Sequence, residues 1–201
     1  LEVLILGLAL QWFARERYGE QERVKALAAT DPLTGFATAD AFHAQLASLW
    51  RTLDAETDNR RDCAVAYVQL VNLTSAGLSE KIQARVVRVL RSATRSQDHV
   101  GRLGSQIMGI VMPDVAVDYD LGQRLARIIA LGLLPDNTDP QSTVLQMRIA
   151  ATTYRSFSGN RRALHTELMA LLSQSKDWGS GPIRYVNTNT QSLTSLALEA
   201  D

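Results

Sequence analysis

The sequence has a single cysteine and no excess of either charge. With only Cys63 available, an intrachain disulfide is excluded, and the composition fits a reducing compartment. Lysine and arginine together number 21, aspartate and glutamate together also number 21, and the formal net charge is +0. Because non-specific nucleic-acid affinity requires a basic excess, we expect no nucleic-acid partner. The histidines, His43, His99 and His165, show no metal-ligand spacing, so we predict no metal site from them.

What the sequence does have is the composition of an ordinary folded domain. At 201 residues, with 46% hydrophobic and 21% charged residues, it is long enough for one domain with a substantial core. We assign residues 1–30 to an N-terminal helix, residues 31–187 to the domain, and residues 188–201 to a C-terminal tail or linker. Cys63 directly precedes an apolar strand run, so we expect it to pack in the core.

The first thirty residues have the pattern of a long signalling helix. Residues 1–10 are almost wholly apolar, about half the length that crosses a bilayer, and Arg15 and Arg17 follow them. Two interpretations fit equally well: the end of a membrane helix that continues upstream, or a helix that buries its leucines against a partner. From Val3 to Leu27 the heptad-like spacing predicts a coiled coil, and therefore a homodimer formed through this helix.

Hydrophobic periodicity after residue 31 predicts a mixture of helices and strands. Helices are predicted from Thr38 or Asp40 through Trp50, and over residues 79–92, 117–134, 164–176 and 191–200. Strands are predicted over residues 64–72, 99–102, 106–112, 144–153 and 183–186, the second and third forming a hairpin whose turn uses a positive φ at Gly104. This order predicts an α/β (α+β) fold with a mixed central sheet flanked by helices.

Three short segments carry a resemblance to a known family. They are Asp31-Pro32-Leu33-Thr34-Gly35-Phe36, Arg102-Leu103-Gly104-Ser105-Gln106-Ile107-Met108, and Ile110-Val111-Met112-Pro113-Asp114. In this order and at this separation they resemble the GGDEF domain of bacterial diguanylate cyclases, enzymes that join two GTP molecules into cyclic di-GMP. The resemblance covers about residues 31–186 and implies the nucleotide-cyclase-like GGDEF fold. Together with the apolar N-terminal run, it implies a cytoplasmic domain tethered to the inner membrane through upstream sequence.

The signature departs from the family where the family's chemistry lies. In place of Gly-Gly-Asp-Glu-Phe the chain has Gly104, Ser105, Gln106, Ile107 and Met108. The family's metal-binding strand aspartate aligns with Gln69, a second common aspartate with Val71, and the guanine-reading positions with Thr38, Gly77 and Val86. Mg²⁺ takes oxygen ligands and prefers carboxylates, so an amide and an alkyl group are poor replacements. We therefore predict no catalytic residue, no metal and no cofactor; residual cyclase or GTP-binding activity is the enzymatic alternative.

One binding motif of the family is retained upstream of the signature. Arg95-Ser96-Gln97-Asp98 occupies the offset of the family's Arg-x-x-Asp product-inhibition site, and Arg127 falls where the family places a second arginine. An arginine fork bonds guanine O6 and N7, and a carboxylate accepts from guanine N–H groups. The resemblance thus implies a cyclic di-GMP site at Arg95, Asp98 and Arg127. A surface ion pair between Arg95 and Asp98 carries equal weight, because Arg51-Thr52-Leu53-Asp54 matches the same pattern.

Taken together, these features predict a catalytically inactive regulatory domain of bacterial cyclic di-GMP signalling. The alternative is a ligand-free dimerisation or partner-docking module. The tail Leu196-Ala197-Leu198-Glu199-Ala200-Asp201 resembles the joint between a GGDEF domain and a following EAL phosphodiesterase domain. A downstream EAL or other effector domain is therefore an expected partner.

Overall fold

The computed structural model describes residues 29–55, 62–71, 79–115, 119–135, 144–157, 163–174 and 181–186. The predicted coiled-coil helix over residues 1–30 lies outside these residues except for its last two, and the tail over residues 188–201 lies wholly outside them. Both assignments stay predictions. Within the described part of the chain, none of the helices combines the length and apolar character needed to cross a membrane.

The described ranges contain four helices and six strands. The helices are α1 (Ala39–Ala55), α2 (Glu80–Ala93), α3 (Tyr119–Leu133) and α4 (Leu164–Ser173). The strands are β1 (Ala37–Thr38), β2 (Asp62–Leu70), β3 (His99–Arg102), β4 (Ile107–Val115), β5 (Met147–Thr153) and β6 (Ile183–Tyr185). Each helix and strand predicted within these ranges is present, with bounds that differ by a few residues. The prediction missed β1, because two residues are too few to show a periodicity.

The strands form one mixed sheet in the order β1-β3-β4-β2-β5-β6. The four central strands pair antiparallel, whereas β1 pairs parallel with β3 and β6 pairs parallel with β5. Helices α2 and α3 pack on one face of the sheet, and α1 and α4 pack on the other. Since β2 lies between them, its side chains are buried alternately in the two cores. The predicted mixed sheet flanked by helices is confirmed.

The β3–β4 hairpin is present, but its turn does not use the predicted positive φ at Gly104. Gly104 does not adopt a left-handed backbone, and the turn closes instead because the Leu103 and Gly104 N–H groups both donate to the Ile107 carbonyl, at 2.9 and 3.2 Å. A four-residue connection can close in this way without a left-handed residue. A left-handed residue of β4 is Asp114, with φ 55°, at a bulge between β2 and β4.

Candidate functional site

The signature hairpin is fixed on the sheet by one aromatic side chain of α1. Gly101 and Gly109 face each other across β3 and β4, and Phe42, which is fully buried, packs directly over both. A Cβ at Gly101 would lie 2.7 Å from Phe42 Cβ, and one at Gly109 would lie 2.6 Å from Phe42 Cζ. The two glycines therefore provide the space that lets the helix hold the hairpin.

The strand and hairpin positions that the family uses for metal binding come together in the structure. Gln69 of β2 lies directly between Ile107 of β4 and Arg148 of β5 in the strand register, and such cross-strand neighbours share one face of the sheet. The Leu70 N–H also donates to the Gln106 carbonyl at 3.0 Å, so the hairpin joins the end of β2. Gln69 and the signature hairpin thus lie close together.

This group of side chains does not fit a divalent cation. It offers one amide, one alkyl group and one guanidinium, whereas Mg²⁺ requires oxygen ligands and favours carboxylates. Gln69 Oε1 is buried and accepts no hydrogen bond from the described part of the chain. Across the described residues, no group of three or more His, Cys, Asp or Glu side chains is arranged to hold a metal ion. The cross-strand neighbour of Gln69 on β5 is thus the cationic Arg148 rather than a carboxylate.

The first motif is tied to the signature by an ion pair. Asp31 accepts hydrogen bonds from the Thr34 N–H at 2.9 Å and the Thr34 hydroxyl at 2.7 Å, and it pairs with Arg102 at 3.3 Å. Arg102 also donates from Nε to the Gly104 carbonyl at 3.2 Å. Burial disfavours ionisation of Asp31, but the bonds from Thr34 and the charge of Arg102 outweigh it and lower the pKa of the carboxyl. The ion pair between Asp31 and Arg102 holds the first motif against the signature hairpin, a role that the sequence analysis did not assign.

Thr38 and Val86, two of the positions aligned with the family's guanine-reading residues, have structural roles here. The Thr38 hydroxyl accepts from the Ala41 N–H at 3.5 Å, at the start of α1. Val86 of α2 is buried in the core, whereas Val71, the position aligned with the second aspartate, is exposed just after β2. Gly77 lies outside the described residues. Val86 presents no polar group to a base, and Val71 presents no carboxylate.

The retained Arg-x-x-Asp motif forms a turn directly after α2. The Arg95 N–H donates to Asp98 Oδ2 at 2.6 Å, and the Asp98 N–H donates back to the Arg95 carbonyl at 3.0 Å. The Asp98 side chain is 0% exposed, and its Oδ2 also accepts a hydrogen bond from Arg124 of α3, whose side chain is 9% exposed. Asp98 Oδ1 and Arg124 Nη1 are buried and have no partner in the described part of the chain. Arg124 was missed by the sequence analysis, although its position on α3 one turn before Arg127 was visible.

The two predicted ligand arginines are placed near the end of α2. The Arg95 side chain is 53% exposed and pairs with Asp120 of α3 at 3.5 Å. Arg127 is exposed and donates to the Ser92 carbonyl in the last turn of α2 at 3.2 Å. The ion pair that we considered between Arg95 and Asp98 is therefore wrong, because Arg95 pairs with Asp120 and Asp98 pairs with Arg124. The structure brings both predicted arginines to one helix end.

A second polar cluster lies on the opposite side of the sheet, between α1 and α4. The hydroxyl of Tyr67 lies 3.3 Å from Nε2 of His43 and 3.0 Å from Nδ1 of His165. The two imidazole rings meet edge to face with their centroids 5.0 Å apart. Burial is the main cause that lowers the pKa of His43, and the neighbouring His165 lowers it further. Asp40 acts in the opposite direction. The sequence showed these histidines as scattered, and the fold brings two of them together.

Comparison with known proteins assigns the fold. No protein-family model and no curated protein sequence matches the chain. Among solved structures, the GGDEF domain of TpbB (also YfiN) from Pseudomonas aeruginosa matches with a TM-score of 0.69 at 18% identity, over 80% of this chain and 95% of that chain. The chain has the GGDEF-domain fold. At this identity the likeness shows the fold alone.

Two further GGDEF structures were solved with a nucleotide. The coiled coil and GGDEF domain of DgcB from Caulobacter crescentus, in complex with cyclic di-GMP, has a TM-score of 0.68 and 17% identity, over 91% of this chain and 99% of that chain. The S helix-GGDEF-EAL portion of LapD from Vibrio cholerae, bound to cyclic di-GMP, has a TM-score of 0.63 and 14% identity, over 89% of this chain and 42% of that chain. The structural neighbours thus include proteins that bind cyclic di-GMP and one that continues into an EAL domain.

Proposed function

We propose that this chain is a catalytically inactive GGDEF-fold regulatory domain of cyclic di-GMP signalling. The observation that carries the proposal is the row formed by Gln69, Ile107 and Arg148. Joining two GTP molecules requires cations that neutralise triphosphate charge and activate the attacking hydroxyl. A row that has no carboxylate and includes the cationic Arg148 supports the loss of that chemistry. Residual cyclase activity is the alternative that this row disfavours.

We further propose that the domain binds cyclic di-GMP next to the end of α2. The ligand would contact Arg95 and Arg127, two exposed guanidiniums near one helix end, while Asp98 holds the turn that carries Arg95. Cyclic di-GMP presents two phosphates and two guanine edges, and arginine bonds both kinds of group in bidentate fashion. The unpartnered oxygen of Asp98 and the unpartnered nitrogen of Arg124 lie in the same cluster. The bound nucleotide in two structural neighbours adds support by analogy.

A ligand-free partner-docking module is the second candidate, and one observation favours it. The Asp98 carboxylate is enclosed and already bonded to Arg124 and to the turn backbone, so it is not presented to a ligand in this conformation. Under this alternative the Arg-x-x-Asp motif is only a turn. Dimerisation through residues 1–30, tethering to the inner membrane through upstream sequence, and a downstream EAL or other effector domain are proposals common to both candidates.

Isothermal titration of the whole chain with cyclic di-GMP separates the two candidates. We expect saturable binding by the unchanged chain and a loss of affinity of at least about tenfold for Arg95→Ala, the size of one lost charge-assisted hydrogen bond. The matched control is Arg88→Ala, an exposed arginine of α2, which should leave binding unchanged. No binding heat with high-micromolar ligand and folded protein would contradict the cyclic di-GMP proposal and favour the docking module.

A further inference from the structure

A groove of about 790 Å³ lies between α1 and α4, on the sheet face that carries the histidine pair. Its apolar walls include Leu46 and Trp50 of α1 and Leu164 of α4, all three of which are buried. The volume is within the range of about 300–1,000 Å³ that is usual for small-molecule sites. The groove is separate from the signature hairpin and from the Arg95 turn, and the proposed function makes no use of it.

The polar groups of the groove converge at one place. His43 from α1, Tyr67 from β2 and His165 from α4 all line it, and the tyrosine hydroxyl lies within hydrogen-bond distance of both imidazoles. Three elements thus contribute one polar group each to a single point above an otherwise apolar surface. Convergence of a few polar groups in an apolar concavity is the usual composition of a site that orients a small ligand.

The side chains that line the groove favour an anionic ligand. Besides the two histidines, the lining includes Arg51, whereas none of the described residues that line the groove is acidic. Imidazole N–H groups that donate hydrogen bonds stabilise an anion. An apolar wall next to an anion-binding point matches an amphipathic molecule with one acidic end.

We propose that this groove binds a small organic acid, whose carboxylate lies against His43 and His165 and whose apolar body lies against Leu46, Trp50 and Leu164. Tyr67 anchors the imidazoles from below, since its side chain is fully buried and its hydroxyl contacts both rings. The apolar walls account for the apolar body of this ligand, and the two imidazoles account for its acidic end.

Calorimetric titration of the full chain with decanoate, and separately with 1-decanol, tests the proposal. We expect decanoate to bind at one site and 1-decanol to bind about tenfold more weakly, since the alcohol lacks the charge-assisted hydrogen bond. Ala47 is exposed and lines the groove, so Ala47→Trp should block it and weaken decanoate binding at least about tenfold. Ala44→Trp, at an exposed position of the same helix that does not line the groove, is the matched control and should bind normally.

A second variant tests the polar end alone. His165 is exposed, so His165→Ala should fold, and it should weaken decanoate binding about tenfold without changing 1-decanol binding. Circular dichroism confirms that each variant is folded. The proposal is overturned if decanoate does not bind saturably, if the acid and the alcohol bind equally, or if Ala47→Trp and Ala44→Trp behave alike.

Discussion

Replacement of Asp98 by alanine removes the partner of a buried guanidinium. The Asp98 side chain is fully enclosed, that of Arg124 is 9% exposed, and Asp98 also accepts the Arg95 N–H. Removal of one member of a buried ion pair costs about 3–5 kcal/mol, because the remaining charge is left without compensation. At an m-value of about 2 kcal/mol per molar urea, the unfolding midpoint should fall by about 2 M.

Urea unfolding followed by circular dichroism measures this loss, and two further variants identify its cause. Arg95→Ala breaks only an exposed ion pair with Asp120, so it should cost less than about 1 kcal/mol. Adding Arg124→Met to Asp98→Ala removes the uncompensated charge, and the double variant should be more stable than Asp98→Ala alone. If Asp98→Ala shifts the midpoint by less than about 0.5 M, or if the double variant is the less stable one, the structural role assigned to Asp98 is wrong.

Three other positions give independent tests of the packing and of the titrating groups. Gly109→Ala should lower the free energy of unfolding in urea by about 1–3 kcal/mol, because its Cβ would overlap Phe42. Gly122→Ala should lower it by nothing, because the nearest atom to its Cβ would be 3.6 Å away. Equal losses of stability in the two variants would contradict this account. Burial lowers the pKa of His43, so the unfolded chain takes up its proton first and stability should fall as the pH drops below about 6.5. His43→Gln should flatten that fall in a series of urea midpoints at different pH values, and an unchanged slope would count against it. Burial raises the pKa of Cys63 to about 12, so a disulfide reagent at mildly alkaline pH should label the thiol only after urea unfolds the chain.

Much of the fold could be predicted from the sequence, because helix and strand patterns are local and the three motif segments follow the order of the GGDEF family. The helical periodicity holds over α2, where buried side chains recur every three or four residues, and the three motif segments imply the GGDEF-like fold by resemblance. The turn at Gly104 was predicted with the wrong backbone, because the choice between a two-residue turn and a longer connection depends on hydrogen bonds to Ile107 that composition does not encode. The strand β1 was missed since its pairing with β3 is non-local.

The site was predictable only in part, because much of it depends on pairing across the sheet and between helices. Alignment to the motifs placed Gln69 beside the hairpin. Arg148 becomes the neighbour of Gln69 through the register of β2 with β5, which sequence spacing does not give. Arg124 likewise reaches Asp98 through the packing of α3 against the turn. Contacts of this kind appear only once the elements are assembled.

Incubation of the folded chain with GTP and Mg²⁺, followed by chromatographic detection of cyclic di-GMP, tests the central claim most directly. An active diguanylate cyclase in the same buffer is the positive control. The arrangement of Gln69, Ile107 and Arg148 predicts no product above the level of a reaction without protein. Steady accumulation of cyclic di-GMP, in proportion to the amount of this chain, would contradict the claim that the site has lost its metal-dependent chemistry.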